Sequence, residues 1–208
     1  MNVLITGGNG DIAKQVAVTL GGLSGYEVFS PSRHELDVTD QISVAEFFVE
    51  HYIDTVVNCA GTLYSSLITE SEPEFWINDI QTNLIGTYLV TRMALIKNKH
   101  CRVVNVASTA AFNAYKDWTS YCAAKAGVIK LTQGLHKDGY DVLAICPGAI
   151  DTKLREGLTI ANPNLMTLAE GVAPIIAAIT SDEYKAGDIV FYRKGTLQIN
   201  PDFALAIG

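Results

Sequence analysis

Six short apolar runs, each too short for a helix, punctuate the chain at residues 2–6, 26–30, 54–59, 103–107, 142–146 and 188–192. Between most of them lie longer stretches with helical spacing. Ile12, Val16 and Leu20 share one face over 11–22, and Val44, Phe47 and Phe48 share another behind Asp40, a helix N-cap. Residues 74–98 place Ile80, Leu84, Tyr88 and Thr91 on one stripe, and 118–137 place Ala124, Val128 and Leu131 on one face. A further helix is expected around 167–180. Strand then helix, repeated, predicts a doubly wound parallel sheet in a three-layer αβα architecture, with ligands at the carboxyl ends of the strands. At 208 residues without repeat or linker, the chain reads as a single domain over 1–208. The one long irregular segment, 149–166, is expected to act as a lid.

Charge and cysteine content remove several function classes. Fifteen basic against 22 acidic residues give a net charge of −7, which repels phosphate backbones, so no nucleic-acid partner is expected. The charge-free stretch 103–115 holds Asn105, Ser108, Thr109 and Asn113, too short and polar to cross a bilayer, so no membrane partner is expected. Met1–Gly7 has no basic start, so a signal peptide is not expected and the predicted location is cytoplasmic. Cys59, Cys101, Cys122 and Cys146 show no C-x-x-C or Cys/His metal spacing. They read as small buried hydrophobes in a reducing compartment, with no metal site, and the four histidines are assigned no chemistry.

The first strand runs into Thr6-Gly7-Gly8-Asn9-Gly10-Asp11-Ile12-Ala13. Gly8-x-Gly10-x-x-Ala13 fits the dinucleotide fingerprint. Glycines let the backbone approach a pyrophosphate, the following helix offers unpaired N–H groups at Asp11 and Ile12, and a small Ala13 lets that helix sit close to the sheet. The Asp11 carboxylate would repel the phosphates and is expected to point away from them. At the end of the second strand, where an acid would read a ribose 2′-OH, the chain has Ser30-Pro31-Ser32-Arg33. Arg33, with Ser32 as a neutral donor, suits a 2′-phosphate, which favours NADP(H) over NAD(H).

Tyr121 and Lys125 stand at i and i+4 and share a helical face, and Ser108 ends the fourth strand 13 residues before Tyr121. An isolated Tyr-x-x-x-Lys arises by chance. In this setting, however, the sequence resembles the compact branch of the short-chain dehydrogenase/reductase family over nearly its whole length. Thr6-Gly7 with Gly10 resembles its N-terminal turn, and Asn58-Cys59-Ala60-Gly61 its Asn-Asn-Ala-Gly motif with Cys59 in place of the second Asn. Asn83 in Thr-Asn-Leu-Ile-Gly matches its helix Asn; Ser108, Tyr121 and Lys125 match its Ser, Tyr and Lys. Pro147-Gly148, with Ile150 and Thr152, resembles its segment beside the nicotinamide. Two features depart from that branch. Asp11 and Ala13 break its glycine pattern, and Gly7, Gly10 and Ala13 also fit the turn of the longer, sugar-nucleotide branch. Leu36-Asp37-Val38 also follows the second strand closely, as in that branch, and Asp37 resembles the adenine-contacting Asp, with Val38 beside it. Only 60 residues follow Gly148, too few for a separate substrate domain.

The resemblance implies a Rossmann-like fold and a reversible hydride transfer between a small carbonyl and a secondary alcohol. Tyr121 would be the general acid/base, Lys125 would lower its pKa and hold the nicotinamide ribose, Ser108 would bind the substrate oxygen and Asn83 would place a relay water. Phe112, Tyr115, Trp118, Leu154, Leu158 and Ile160, with Lys153 and Arg155 at the edge, are expected to shape the substrate pocket. Gly86, Leu89, Met93, Ala126, Ile129 and Thr132 are expected at a four-helix interface of a homodimer or homotetramer. The competing readings are a catalytically weak NAD(P)-sensing regulator on the same fold and, against the short tail, a sugar-nucleotide epimerase or dehydratase.

Overall fold

The computed structural model describes residues 1–156, 158 and 162–205. In chain order they form β1 (Asn2–Ile5), α1 (Asp11–Gly21), β2 (Glu27–Phe29), α2 (Gln41–Glu50), β3 (Thr55–Asn58) and α3 (Pro73–Ile80). A π-helical turn (Gln81–Ile85) joins α3 to α4 (Gly86–Lys97), followed by β4 (Arg102–Val106), α5 (Thr119–Lys137) and β5 (Val142–Pro147). The chain continues with α6 (Leu168–Thr180), β6 (Ile189–Arg193), β7 (Thr196–Ile199) and α7 (Asp202–Leu205). The strands make one sheet in the order β2-β1-β3-β4-β5-β6-β7. All neighbours are parallel except β6 and β7, an antiparallel hairpin turned at Lys194-Gly195 with Gly195 at φ 74°. The order reverses between β2-β1 and β1-β3, so a crevice opens at the carboxyl ends of β1 and β3, where open α/β sheets bind ligands.

Both faces of the sheet are covered, which is why the strands read as continuous apolar runs. Alternate residues feed opposite cores. Val3, Ile5, Val57, Val104 and Ile145 pack under α1 and α6 against Val16, Leu20, Val172 and Ile175. Leu4, Val56 and Val103 face α2 and α4 through Val44, Phe48, Val90 and Ala94. Asp40 caps α2 as expected, its Oδ1 accepting from the Ile42 N–H at 2.8 Å.

Two sequence expectations change here. The stripe Ile80, Leu84, Tyr88, Thr91 does not run as one face, because the π-turn adds a residue to one turn and rotates everything after it. Tyr88 is exposed, while Gly86, Val90 and Ala94 are buried. The proposed interface residues also split: on α5, Ile129 sits in the core under β5 and Thr132 donates to the Val128 carbonyl and accepts from Asn105, while on α4 Gly86 is closed over by Val38. Leu89, Met93 and Ala126 are half-buried. No helix of the described residues is long and apolar enough to cross a membrane.

Candidate active site

The turn after β1 is built by backbone contacts. Gly7 has φ +74°, and a Cβ there would stand 2.8 Å from the Ala60 Cα. A Cβ on Gly8 would stand 2.1 Å from the Ser30 carbonyl oxygen, so the turn lies flush against the end of β2. The Gly8 N–H donates to Pro31 and the Gly10 N–H to Gly7. Gly10 caps α1 without a side-chain bond, which leaves the first-turn N–H groups of α1 open at the crevice. Asp11 does turn off this axis: its Oδ2 accepts from the Lys153 N–H at 2.7 Å, tying α1 to the loop after β5.

Thr6 joins the turn to the end of β3, its Oγ1 accepting from the Cys59 and Ala60 N–H groups at 3.1 and 3.0 Å. The Asn58 amide points elsewhere. It donates to Thr91 at 2.9 Å and to Asn105 at 2.8 Å, stitching β3 to β4 and α4 beneath the site. Beyond β2, Arg33 is not a free cation. Its Nε meets Asp37 Oδ2 at 3.0 Å, an i,i+4 pair on the surface. Burial would raise the Asp37 carboxyl, but the Thr39 hydroxyl and N–H and the Arg33 guanidinium outweigh it and hold the group below its ordinary value. The Ser32 N–H donates to Glu35, so this corner carries two carboxylates against one guanidinium.

Ser108, Tyr121, Lys125, Asn83, Ile12, Gly61 and the Pro147–Thr152 segment converge on one cavity of about 230 Å³. Ser108 lies two residues beyond β4 and caps a short 3-10 turn, its Oγ accepting from the Ala110 N–H at 3.1 Å. Tyr121 and Lys125 enter from the first turns of α5, where helical spacing aligns them; Lys125 Nζ is 5.6 Å from the Tyr121 ring centroid. Both are buried, at 8% and 5% exposure. Burial pushes the Tyr121 phenol up to about 12, helped by the Asp79 carboxylate and opposed by its hydrogen bond with Ser108 and by Arg155. Burial likewise depresses the Lys125 amine to about 8, although its Nζ donates to the Val106 carbonyl at 2.9 Å. Gly148 is pinned by the Tyr192 carbonyl at 2.7 Å, and Ile150 packs on Gly171. A parallel bridge between Ile150 and Met166 closes the base of the 149–166 segment.

The turn residues Gly7–Asp11 and the corner of Ser32, Arg33, Asp37 and Val38 lie outside this cavity, toward β2. On the opposite side Tyr115, Trp118, Leu154 and Arg155 line it as expected. Phe112 does not. Its ring packs 5.3 Å from Phe203 and 6.0 Å from Phe191, because α7 folds back under it. Leu158 packs against the Trp118 cluster, Lys153 engages through its backbone, and Ile160 lies outside the described residues. Beyond the reach of the sequence motifs are Leu63 and Arg193, which line the cavity, and Thr62 and the buried Asp79 beside it. Asp79 had one available signal, a carboxylate four residues before Asn83 on the same helical face. No group of three or more metal-ligating side chains forms among the described residues.

Comparison with known proteins adds to this geometry. A family model described as short chain dehydrogenase matches residues 33–162. An uncharacterized oxidoreductase of Staphylococcus saprophyticus is 36% identical over 129 residues, 58% of this chain and 54% of that protein, so the match spans about half the relative's length. A 3-oxoacyl-[acyl-carrier-protein] reductase of Chlamydia muridarum is 34% identical over 168 residues, 76% of this chain and 67% of that protein. Among solved structures, a small-chain dehydrogenase in complex with NADPH superposes with a TM-score of 0.82, covering 94% of this chain and 97% of that one at 17% identity, a likeness of fold. ElxO with NADP bound superposes with a TM-score of 0.77 at 27% identity, covering 90% and 95%.

Proposed function

The chain belongs to the short-chain dehydrogenase family, and on that premise we propose that it is an NADP(H)-dependent oxidoreductase interconverting a small carbonyl and a secondary alcohol. The observation that carries the reading is the meeting of Ser108, Tyr121 and Lys125 with Pro147–Thr152 around one cavity. The crevice fits a dinucleotide. The glycine turn leaves its floor bare, and the open N–H groups of α1 suit a pyrophosphate. Gly7 to Ile12 would hold that group, Asp37 and Val38 the adenine end with Ala60, and Lys125, Ile150 and Thr152 the nicotinamide end. Asn58 would contribute from below, by holding the strand ends in place.

When bound, the nicotinamide supplies the hydride. The chain's own part is the proton. Tyr121, protonated at neutral pH by its burial, donates to the carbonyl oxygen in reduction. Ser108, whose one hydroxyl proton is given to the phenol before substrate binds, turns it to the same carbonyl oxygen as charge develops there. The Lys125 ammonium beside the ring favours phenolate once the proton has left. Asn83 orders the water that returns a proton from solvent through Lys125. NADPH oxidation with a panel of small ketones tests the whole reading; tight NADPH binding without turnover of any of them would move it to a cofactor sensor. The four thiols are free, in keeping with a reducing, cytoplasmic setting.

Arg33 is the basis for the cofactor preference. A 2′-phosphate would have to draw its guanidinium from Asp37, an exposed pair of small net worth. NADPH is therefore expected to bind about ten-fold tighter than NADH, and Arg33→Ala should erase most of that difference. Equal dissociation constants for the two cofactors in the unaltered protein, by fluorescence titration, would remove the preference.

The reading also includes a two-fold symmetric homodimer, or a tetramer built from it. Ile85, Tyr88 and Ile96 stand exposed beside the half-buried Leu89 and Met93, an apolar strip that a second copy would cover. Light scattering at micromolar concentration is expected to give at least a dimer mass, and Tyr88→Glu a monomer. A monomer from the unaltered chain would refute it.

A further inference from the structure

The reaction outlined above leaves one carboxylate in the site without a role. Asp79, at the end of α3, is 1% exposed, and three donors converge on it. Thr62 Oγ1 and Asn83 Nδ2 donate to Oδ1 at 2.7 and 2.9 Å, and Ser120 Oγ donates to Oδ2 at 2.7 Å. An ionised carboxylate survives burial only with such partners. They arrive from three different places: the loop after β3, the π-turn, and the residue immediately before Tyr121. The Asn83 amide nitrogen is held further by the Thr62 and Asp79 carbonyls, each at 2.9 Å. Its orientation is thereby fixed, and Asn83 Oδ1 is left aimed the other way, buried and without a partner. What it faces is visible at Gly61. A Cβ there would stand 2.8 Å from Asn83 Oδ1 and 3.8 Å from Lys125 Nζ, so the glycine keeps open the space between an unsatisfied acceptor and an ammonium donor.

We propose that Asp79 is a positioning residue for the Tyr121–Lys125 pair: its carboxylate locks the Asn83 amide with Oδ1 toward Lys125, and its negative charge acts on the Lys125 ammonium from behind that amide. The inference rests on the reading of Tyr121 and Lys125 as the reacting pair. The other titratable groups near Lys125 are Tyr121 on its own helix, the Cys59 and Cys146 thiols at the ends of β3 and β5, and Tyr192 on β6 behind the thiols. Burial pushes the Cys59 thiol up to about 12 and the Cys146 and Tyr192 groups up as well, so all are neutral where Lys125 titrates. Near Tyr121 stand Asp79, Cys122 and Arg155. Among these described groups Asp79 is the carboxylate.

Asp79→Asn keeps the shape and removes the charge, and losing a nearby anion lowers the titration of every cation and acid it faces. The readout is the pH titration of the Lys125 side chain by ¹³Cε/¹⁵Nζ NMR in the otherwise unaltered chain, assigned by its loss in Lys125→Met. The midpoint is expected to fall by about one pH unit. An unmoved midpoint in a folded variant overturns the proposal. Asp79→Ser is the second variant: it removes the charge in a smaller side chain, and an unmoved Lys125 midpoint there overturns the proposal equally. An unmoved midpoint together with an inactive Tyr121→Phe enzyme removes the role of Asp79 alone. Full activity in Tyr121→Phe removes the catalytic reading on which that role depends.

Discussion

Tyr121→Phe is expected to lower turnover on any accepted carbonyl by about 10²- to 10⁴-fold, the range for losing a positioned general acid. The substitution removes one oxygen and keeps the ring, which packs against Trp118 at 6.1 Å between centroids. The fold should survive, because the lost hydroxyl has Ser108 as its hydrogen-bond partner and Ser108 retains its bond to the Ala110 N–H. Cofactor binding should barely change, since the residues that would hold the phosphates stand at the start of α1, away from the Tyr121 ring. The phenol, pushed up to about 12 by burial, is protonated across the neutral range, which suits donation in the reductive direction. Oxidation needs the phenolate, so its rate in the unaltered enzyme should rise with pH while reduction stays flat up to the point where Lys125 loses its charge. Near-normal turnover by Tyr121→Phe, measured by NADPH absorbance on a verified substrate, would end the acid–base assignment.

The fold was legible because the central strands β1, β3, β4 and β5 are short, buried and followed by helical spacing; that pattern has few other solutions. It failed at the far edge. In β7 every residue from Thr196 to Ile199 is exposed, so no burial pattern announced it. The strand is held instead by pairing with β6 and by Asn200, whose side chain accepts from the Ile189 N–H and donates to Asp188. That omission carried over to Phe112, which could not be placed without α7. Within the site, residues with a fixed spacing to a motif (Ser108, Tyr121, Lys125, Pro147, Gly148) were readable. Residues whose role depends on a change of helical phase or on contacts distant in sequence were not. The π-turn at Gln81–Ile85 has no sequence signature, yet it sets where Asn83 points. Asp79 is visible as a letter, but its meaning comes from Thr62 and Ser120, 17 residues before it and 41 after. Arg33 is the opposite case: the residue type marks a cation, and the i,i+4 spacing to Asp37 already places its ion-pair partner.

Lys125→Met is expected to abolish turnover and weaken cofactor binding while making the protein more stable at neutral pH. The amine titrates at about 8 in the folded chain against 10.5 when unperturbed, burial being the largest cause and the attraction of Asp79 already included. Below pH 8 the ammonium is held in both states but disfavoured in the folded one, by about 3 kcal/mol on the standard conversion of pKa to free energy. Between 8 and 10.5 the unfolded chain keeps a proton that the folded chain has released, so stability from this group rises with pH across that window and levels off above it. Methionine has similar length and no charge to bury. Its cost is the bond to the Val106 carbonyl, about 1 kcal/mol. The balance is a gain of about 2 kcal/mol at pH 7 that falls away between 8 and 10.5 and leaves the variant about 1 kcal/mol less stable above that window, read from urea unfolding at several pH values. Above pH 10 the Tyr121 phenol works the other way in both proteins, since the unfolded chain ionises first, and it cancels from the difference. A variant less stable than the unaltered protein at pH 7 would show that the buried ammonium is supported better than its depressed titration implies. A stabilised, inactive variant would show that the fold tolerates this charge at a standing loss of stability, and that what keeps it at position 125 is the chemistry at the Tyr121 oxygen.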